Sequence, residues 1–81
     1  MNKEIIIDKL RTIFINVLEH EDFEINDELS AGDVSGWDSL SHMLIIGEVE
    51  EMFSIKFKFK ELNKMKNLGD MITLIGNKLN L

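Results

Sequence analysis

Apolar residues recur at helical spacing in three separate stretches of this 81-residue chain, while the single run that alternates like a strand has nothing to pair with. Residues 3 to 19 place Ile6, Leu10, Ile13, Phe14, Val17 and Leu18 on one stripe, with Lys3, Glu4, Asp8, Lys9, Arg11 and Thr12 mostly between them. Residues 39 to 53 repeat the spacing with Met43, Ile46, Val49 or Glu50, and Phe53, and Ile45 and Met52 lie beside that stripe. Residues 67 to 80 repeat it with Leu68, Met71, Ile72, Ile75 and Leu79, and Asn67 suits the cap position. Ser54 to Lys60 alternates polar and apolar, but a lone strand leaves its backbone groups unpaired. An extended linker entering a short helix at 59 to 64 is the better reading. No proline interrupts these segments. The expectation is an all-α, single-domain chain over 1–81, a four-helix bundle of three long helices and one short one.

Between the first two helices the pattern breaks. From His20 to Trp37, acids and small polar residues surround isolated apolar residues at Phe23, Ile25, Leu29 and Val34, with turn glycines at Gly32 and Gly36. A connection of this length survives in a compact domain when it is functional or when its own side chains anchor it. Those four apolar residues are the expected anchors.

Composition narrows the function. Residues 1 to 53 carry three Lys or Arg against thirteen Asp or Glu, and residues 54 to 81 carry six against two, for a net charge of −6. The acidic part argues against nucleic acid and anionic membrane and for proteins with basic docking surfaces. The basic cluster Lys56, Lys58, Lys60, Lys64 and Lys66 lacks Arg, and its interleaved apolar residues are needed for the core. Without cysteine the chain has no disulfide, Cys-ligated metal site or thiol nucleophile of its own. No apolar run approaches a membrane span or a signal peptide, and a cytoplasmic monomer is expected.

Few residues suit chemistry. His20 and His42 have no metal-type neighbours at ligand spacing, and the acids Asp27, Glu28, Asp33 and Asp38 lack the order of a calcium loop, so no metal site is expected. Ser39 and His42 share a helix face, yet no third residue orients them as a nucleophile and base, and no catalytic residue is assigned. The plain alternative is that Ser39, or Asp38 before it, caps the second helix. Asp-Ser-Leu alone arises by chance in roughly 3% of chains this long, so the tripeptide decides nothing without its context.

That context is Gly36-Trp37-Asp38-Ser39-Leu40 at a helix start in mid-chain, after a long acidic loop and before Glu48 to Ile55. The arrangement resembles the phosphopantetheine-binding acyl carrier protein family from Ile6 to Leu79. The resemblance implies a carrier with no catalysis of its own. Ser39 would receive a 4′-phosphopantetheine arm from coenzyme A through a separate phosphopantetheinyl transferase, with Asp38 and Leu40 flanking it. The arm would carry an acyl or aminoacyl group as a thioester between loading and transferring enzymes. A phosphodiester at that place would be favoured by free N–H groups and the helix dipole.

Leu40, Leu44 and Gly47 form an apolar strip that the core does not use, edged by Glu48 and Glu51, and this is the expected docking surface. Fatty acid carriers usually have a small residue where Trp37 stands and acids where Ser41 and Leu44 stand. The sequence is therefore more similar to free-standing carriers of specialised pathways such as polyketide, aminoacyl or sugar-modifying systems. Ile45, Ile46, Val49 and Met65 are positioned to line a space for the cargo, although a filled core suits them equally. The competing reading is a small acidic helical adaptor without a prosthetic group, in which Ser39 is only a cap.

Overall fold

Each long helix begins at a residue whose side chain satisfies the free N–H groups of the first turn. In the computed structural model, which describes residues 2–80, Asn2 accepts the Ile5 N–H at 3.0 Å and starts α1 (Lys3–Leu18). Met1 and Leu81, the ends of the expected domain, lie outside the described residues. Asp38 starts α2 (Ser39–Phe53), the short α3 (Phe59–Leu62) follows, and Asn67 accepts the Asp70 N–H at 2.9 Å to start α4 (Leu68–Lys78). The bundle of three long helices and one short one is as the sequence predicts, with ends trimmed by one to two residues in α1, α3 and α4. No strand occurs among the described residues, and no helix there is long and apolar enough to cross a membrane.

The three stripes meet in one core. Ile6, Leu10, Ile13 and Phe14 of α1 are buried against Ile45, Ile46, Val49 and Phe53 of α2 and Leu68, Met71, Ile72 and Ile75 of α4. Met43 and Met52 do not belong to this buried face, contrary to the sequence reading, and are 54% and 40% exposed. At about 3.6 residues per turn the stripe centres between Ile45 and Phe53, which leaves the two methionines on opposite flanks. Of the two candidates for one place on the stripe, Val49 is fully buried, and Glu50 is half-buried and serves the fold, since its carboxylate accepts the Phe57 N–H at 2.9 Å and holds the linker after α2 in place. Ile55 and Phe57 of that linker pack on the core.

The long loop is anchored as the pattern implies. Leu29 and Val34 are buried, and Phe23 and Ile25 pack against the core as partly buried residues. A single 3-10 turn, Ala31–Asp33, interrupts the loop, a feature absent from the sequence reading; its start is held by the Asp33 carboxylate, which accepts from the Ser30 N–H at 3.1 Å. Two backbone bonds fasten the loop to α4, Leu68 N–H to Leu29 C=O at 2.8 Å and Gly69 N–H to Asp27 C=O at 2.9 Å. The second approach is so close that a β-carbon on residue 69 would lie 2.9 Å from the Asp27 oxygen. His20 closes the loop from the other side, with Nδ1 accepting from the Asp22 N–H and Nε2 donating to Ser35 C=O at 2.6 Å.

Candidate functional site

The turn before α2 is built around two residues that flank Ser39. Gly36 takes the left-handed conformation (φ 84°) that a side chain would resist, and the chain then drops Trp37 into the core at 6% exposure. Trp37 meets Phe14 edge-on, with ring centroids 4.9 Å apart and planes at 84°. Asp38 follows in extended backbone, and its Oδ1 accepts from Leu40 N–H at 3.0 Å and Ser41 N–H at 2.9 Å. Ser41 completes the cap: its hydroxyl accepts the Asp38 N–H at 2.8 Å and donates to Gly36 C=O at 2.7 Å. These bonds, that from Ser41 N–H above all, hold the Asp38 carboxyl below the usual carboxylate range.

Ser39 therefore does not cap the helix. Its side chain is exposed, and none of the hydrogen bonds of this turn uses its hydroxyl. Of the two capping candidates in the sequence, Asp38 holds the position. A further consequence concerns charge. Two of the N–H groups expected to face a phosphate are already taken by the Asp38 carboxylate, so the helix end is less inviting to an anion than the sequence alone implies.

His42 lies one turn further on, half-buried, and is joined to the turn by Trp37. The indole Nε1–H donates to His42 Nδ1 at 3.2 Å, and the two rings stack with centroids 6.1 Å apart. Because the indole nitrogen only donates, Nδ1 is the unprotonated nitrogen and the neutral ring carries its proton on Nε2. Burial pushes the His42 imidazole below its ordinary range. The serine and the imidazole are thus neighbours, but the imidazole is engaged by Trp37 rather than by Ser39.

Beside Ser39 opens a groove of about 370 Å³, bounded by Trp37, Asp38 and His42 on one side, by Met65, Lys66 and Asn67 on the other, and by Ala31 of the 3-10 turn. Of the cargo-lining candidates only Met65 borders this groove, and Ile45, Ile46 and Val49 are buried in the core. The residues around Ser39 fit a phosphodiester-linked arm: an exposed hydroxyl to bear it, the thioether surface of Met65, an imidazole N–H donor, and the exposed lysine Lys66. Lys66, Asn67 and Ala31 have no place in the sequence-derived binding site, because nothing in their local pattern ties them to Ser39, and His42, on the same helix face as Ser39, enters the sequence reading only as a candidate base.

The other expected residues lie further along α2. Leu40 and Leu44 are 75% and 57% exposed, Met43 joins them, and Gly47, Glu48 and Glu51 continue the same exposed side. Met43, Leu44, Gly47, Glu48 and Glu51 face a second, shallow groove whose opposite wall is Asn16, Val17 and Glu19 at the end of α1.

Comparison with known proteins agrees with this geometry. The family described as phosphopantetheine attachment site matches residues 8–75. The fold is similar to the solution NMR structure of holo acyl carrier protein from Geobacter metallireducens, with a TM-score of 0.85, 42% identity, and coverage of 91% of this chain and 85% of that one. The acyl carrier protein of Thermosynechococcus vestitus is 28% identical over 79 residues, 98% of each chain. A stretch of 71 residues is 38% identical to a non-reducing polyketide synthase of Emericella nidulans, of which this chain spans 3% of the length. Matched over most of its length in both sequence and fold, the chain belongs to the acyl carrier protein family, whose prosthetic group is covalently attached phosphopantetheine.

Proposed function

We propose that Ser39 Oγ bears the 4′-phosphopantetheine of this carrier. The observation that carries the reading is that Ser39 is exposed and unengaged at the start of α2 while its neighbours do the structural work. Asp38 caps the helix and Ser41 is held by two short bonds, so neither needs Ser39 and Ser41 is not free to react. A transferase that removes the Ser39 proton therefore meets a hydroxyl with no bond to break among the described residues. The Ser39 oxygen attacks the pantetheine-bearing phosphorus of coenzyme A, and the pyrophosphate P–O bond breaks with adenosine 3′,5′-bisphosphate as the leaving group. The phosphopantetheine ends as a phosphodiester on Oγ. When bound, the arm supplies a terminal thiol that holds an acyl or aminoacyl group as a thioester, and tethering raises its concentration at any enzyme on which the carrier docks. In this reading the chain is a monomeric, single-domain carrier of the cytoplasm, and it performs no reaction itself.

Docking is assigned to the exposed side of α2, with Leu40 and Leu44 as apolar contacts and Glu48 and Glu51 as charges that meet a basic partner surface. Leu44, 57% exposed and outside the core cluster, supports this assignment. The adaptor alternative made Ser39 a cap, a position that Asp38 occupies. Peptide mapping of the protein after treatment with coenzyme A and a phosphopantetheinyl transferase tests the reading. The added group is expected on the peptide holding Ser39, at that residue, and its appearance on Ser30, Ser35, Ser41 or Ser54 would contradict it.

A further inference from the structure

The groove beside Ser39 has features that the carrier role by itself does not require. Its walls come from separate parts of the chain, the start of α2 and the segment Met65 to Asn67 before α4. Lys66 makes no ion pair among the described residues, and its backbone N–H is fixed by the Asp70 carboxylate at 2.9 Å, which holds the segment against the start of α4. His42 is oriented by the Trp37 indole, which leaves Nε2–H without a partner among the described residues. At the helix end Asp38 has taken two N–H groups, and its own negative charge lies next to the place of a phosphodiester. An anion on Ser39 is therefore repelled by Asp38, and the cation bordering the groove is Lys66.

We propose that this groove seats the first part of the arm, with Lys66 facing the phosphodiester and His42, positioned by Trp37, donating Nε2–H to an oxygen of the arm. This deepens the attachment reading and rests on it. The chemistry of the walls matches the chemistry of the ligand. The branched dimethyl carbon next to the phosphate suits the apolar surface of Met65, and the hydroxyl and amide oxygens that follow are acceptors for a neutral imidazole N–H. Trp37 is almost wholly buried, so its contribution is to hold the imidazole rather than to offer a contact face. Lys66 is exposed and Asp38 opposes it across the groove, so the seat is partly screened by water and the arm can leave for a partner enzyme.

Holo protein made with ¹⁵N-labelled coenzyme A tests the proposal by ¹⁵N relaxation of the arm amides, after intact mass has shown the group added to wild type and absent from Ser39→Ala. In wild type the order parameter of the arm amide nearer the phosphate is expected above about 0.6, the boundary of flexible segments. Both Lys66→Gln and His42→Ala are expected to bring it below that value, and circular dichroism of each variant verifies that the fold is kept. Lys66→Gln replaces an exposed residue and serves alone should His42→Ala fail to fold. A wild-type value below about 0.6, or a value that Lys66→Gln leaves unchanged, overturns the seat while the attachment at Ser39 stands. Modification of Ser39→Ala overturns the attachment reading instead.

Discussion

The Trp37 indole N–H donates to His42 Nδ1 across 3.2 Å, joining a residue of the core to one that borders the groove beside Ser39. Through Phe14, which Trp37 meets edge-on, the same contact ties α1 to the first turn of α2. The loop before Ser39 is thus fixed from inside the core rather than by its own surface bonds alone.

Replacing Trp37 by Ala is expected to destabilise the protein by about 3–5 kcal/mol, the usual cost of deleting a large buried ring. Trp37→Phe keeps an aromatic ring against Phe14 but loses the bond to His42 and part of the buried ring volume, at about 1–3 kcal/mol. Urea unfolding followed by circular dichroism distinguishes the two, since both variants lack the sole tryptophan. Equal losses would show that the hydrogen bond, not the ring, fixes the turn.

The lowered pKa of His42 sets a pH window. Burial disfavours the charged ring, so the unfolded chain takes up a proton before the native state does as pH falls. The contribution of His42 is whole above the unfolded value of about 6.5 and is lost as pH drops from there toward the native value. His42→Gln is expected to flatten the decline in stability as pH falls below about 6.5, measured by urea titration at each pH. Asp38 and Glu61, held low by backbone N–H groups of Ser41 and Lys58, contribute to a separate and more acidic window.

Two glycines in helices are expected to respond in opposite directions to alanine. Gly69→Ala brings a β-carbon to within 2.9 Å of the Asp27 carbonyl and is expected to cost about 1–3 kcal/mol. At Gly47 nothing lies within 4 Å, and Gly47→Ala is expected to stabilise α2 by about 0.5–1 kcal/mol. Thermal melts of both variants check the pair.

Along α2, Leu44→Asp and the double change Glu48→Lys with Glu51→Lys are expected to lower kcat/KM of a phosphopantetheinyl transferase by roughly tenfold, about 1.4 kcal/mol of docking. Melting midpoints close to wild type are expected, because these side chains lie outside the core. Unchanged kinetics for both variants would move the docking surface elsewhere on the molecule.

The helices were legible because their signals are local: Asn67 caps α4, and the α1 stripe of Ile6, Leu10, Ile13 and Phe14 is buried as its spacing predicts. The role of Asp38 was only half legible. Asp-Ser offers two candidate caps, and it is the reciprocal bonds with Ser41 that give the position to Asp38 and release Ser39. Met43 and Met52 were misplaced because a helix with apolar residues on several sides does not declare which ones the neighbours cover. The groove was not legible at all. Lys66 and Met65 reach Ser39 only after the linker, α3 and the start of α4 have folded back, and no periodicity records that.

Intact mass decides whether Ser39 carries the arm. Wild type and Ser39→Ala are each incubated with coenzyme A, magnesium and a broad-specificity phosphopantetheinyl transferase. Wild type is expected to gain the mass of one phosphopantetheine group. Ser39→Ala is expected to gain none, and to unfold within about 0.5 kcal/mol of wild type because its lost hydroxyl makes no bond among the described residues. An unmodified wild type, or a Ser39→Ala protein that takes up the group, would contradict attachment at Ser39.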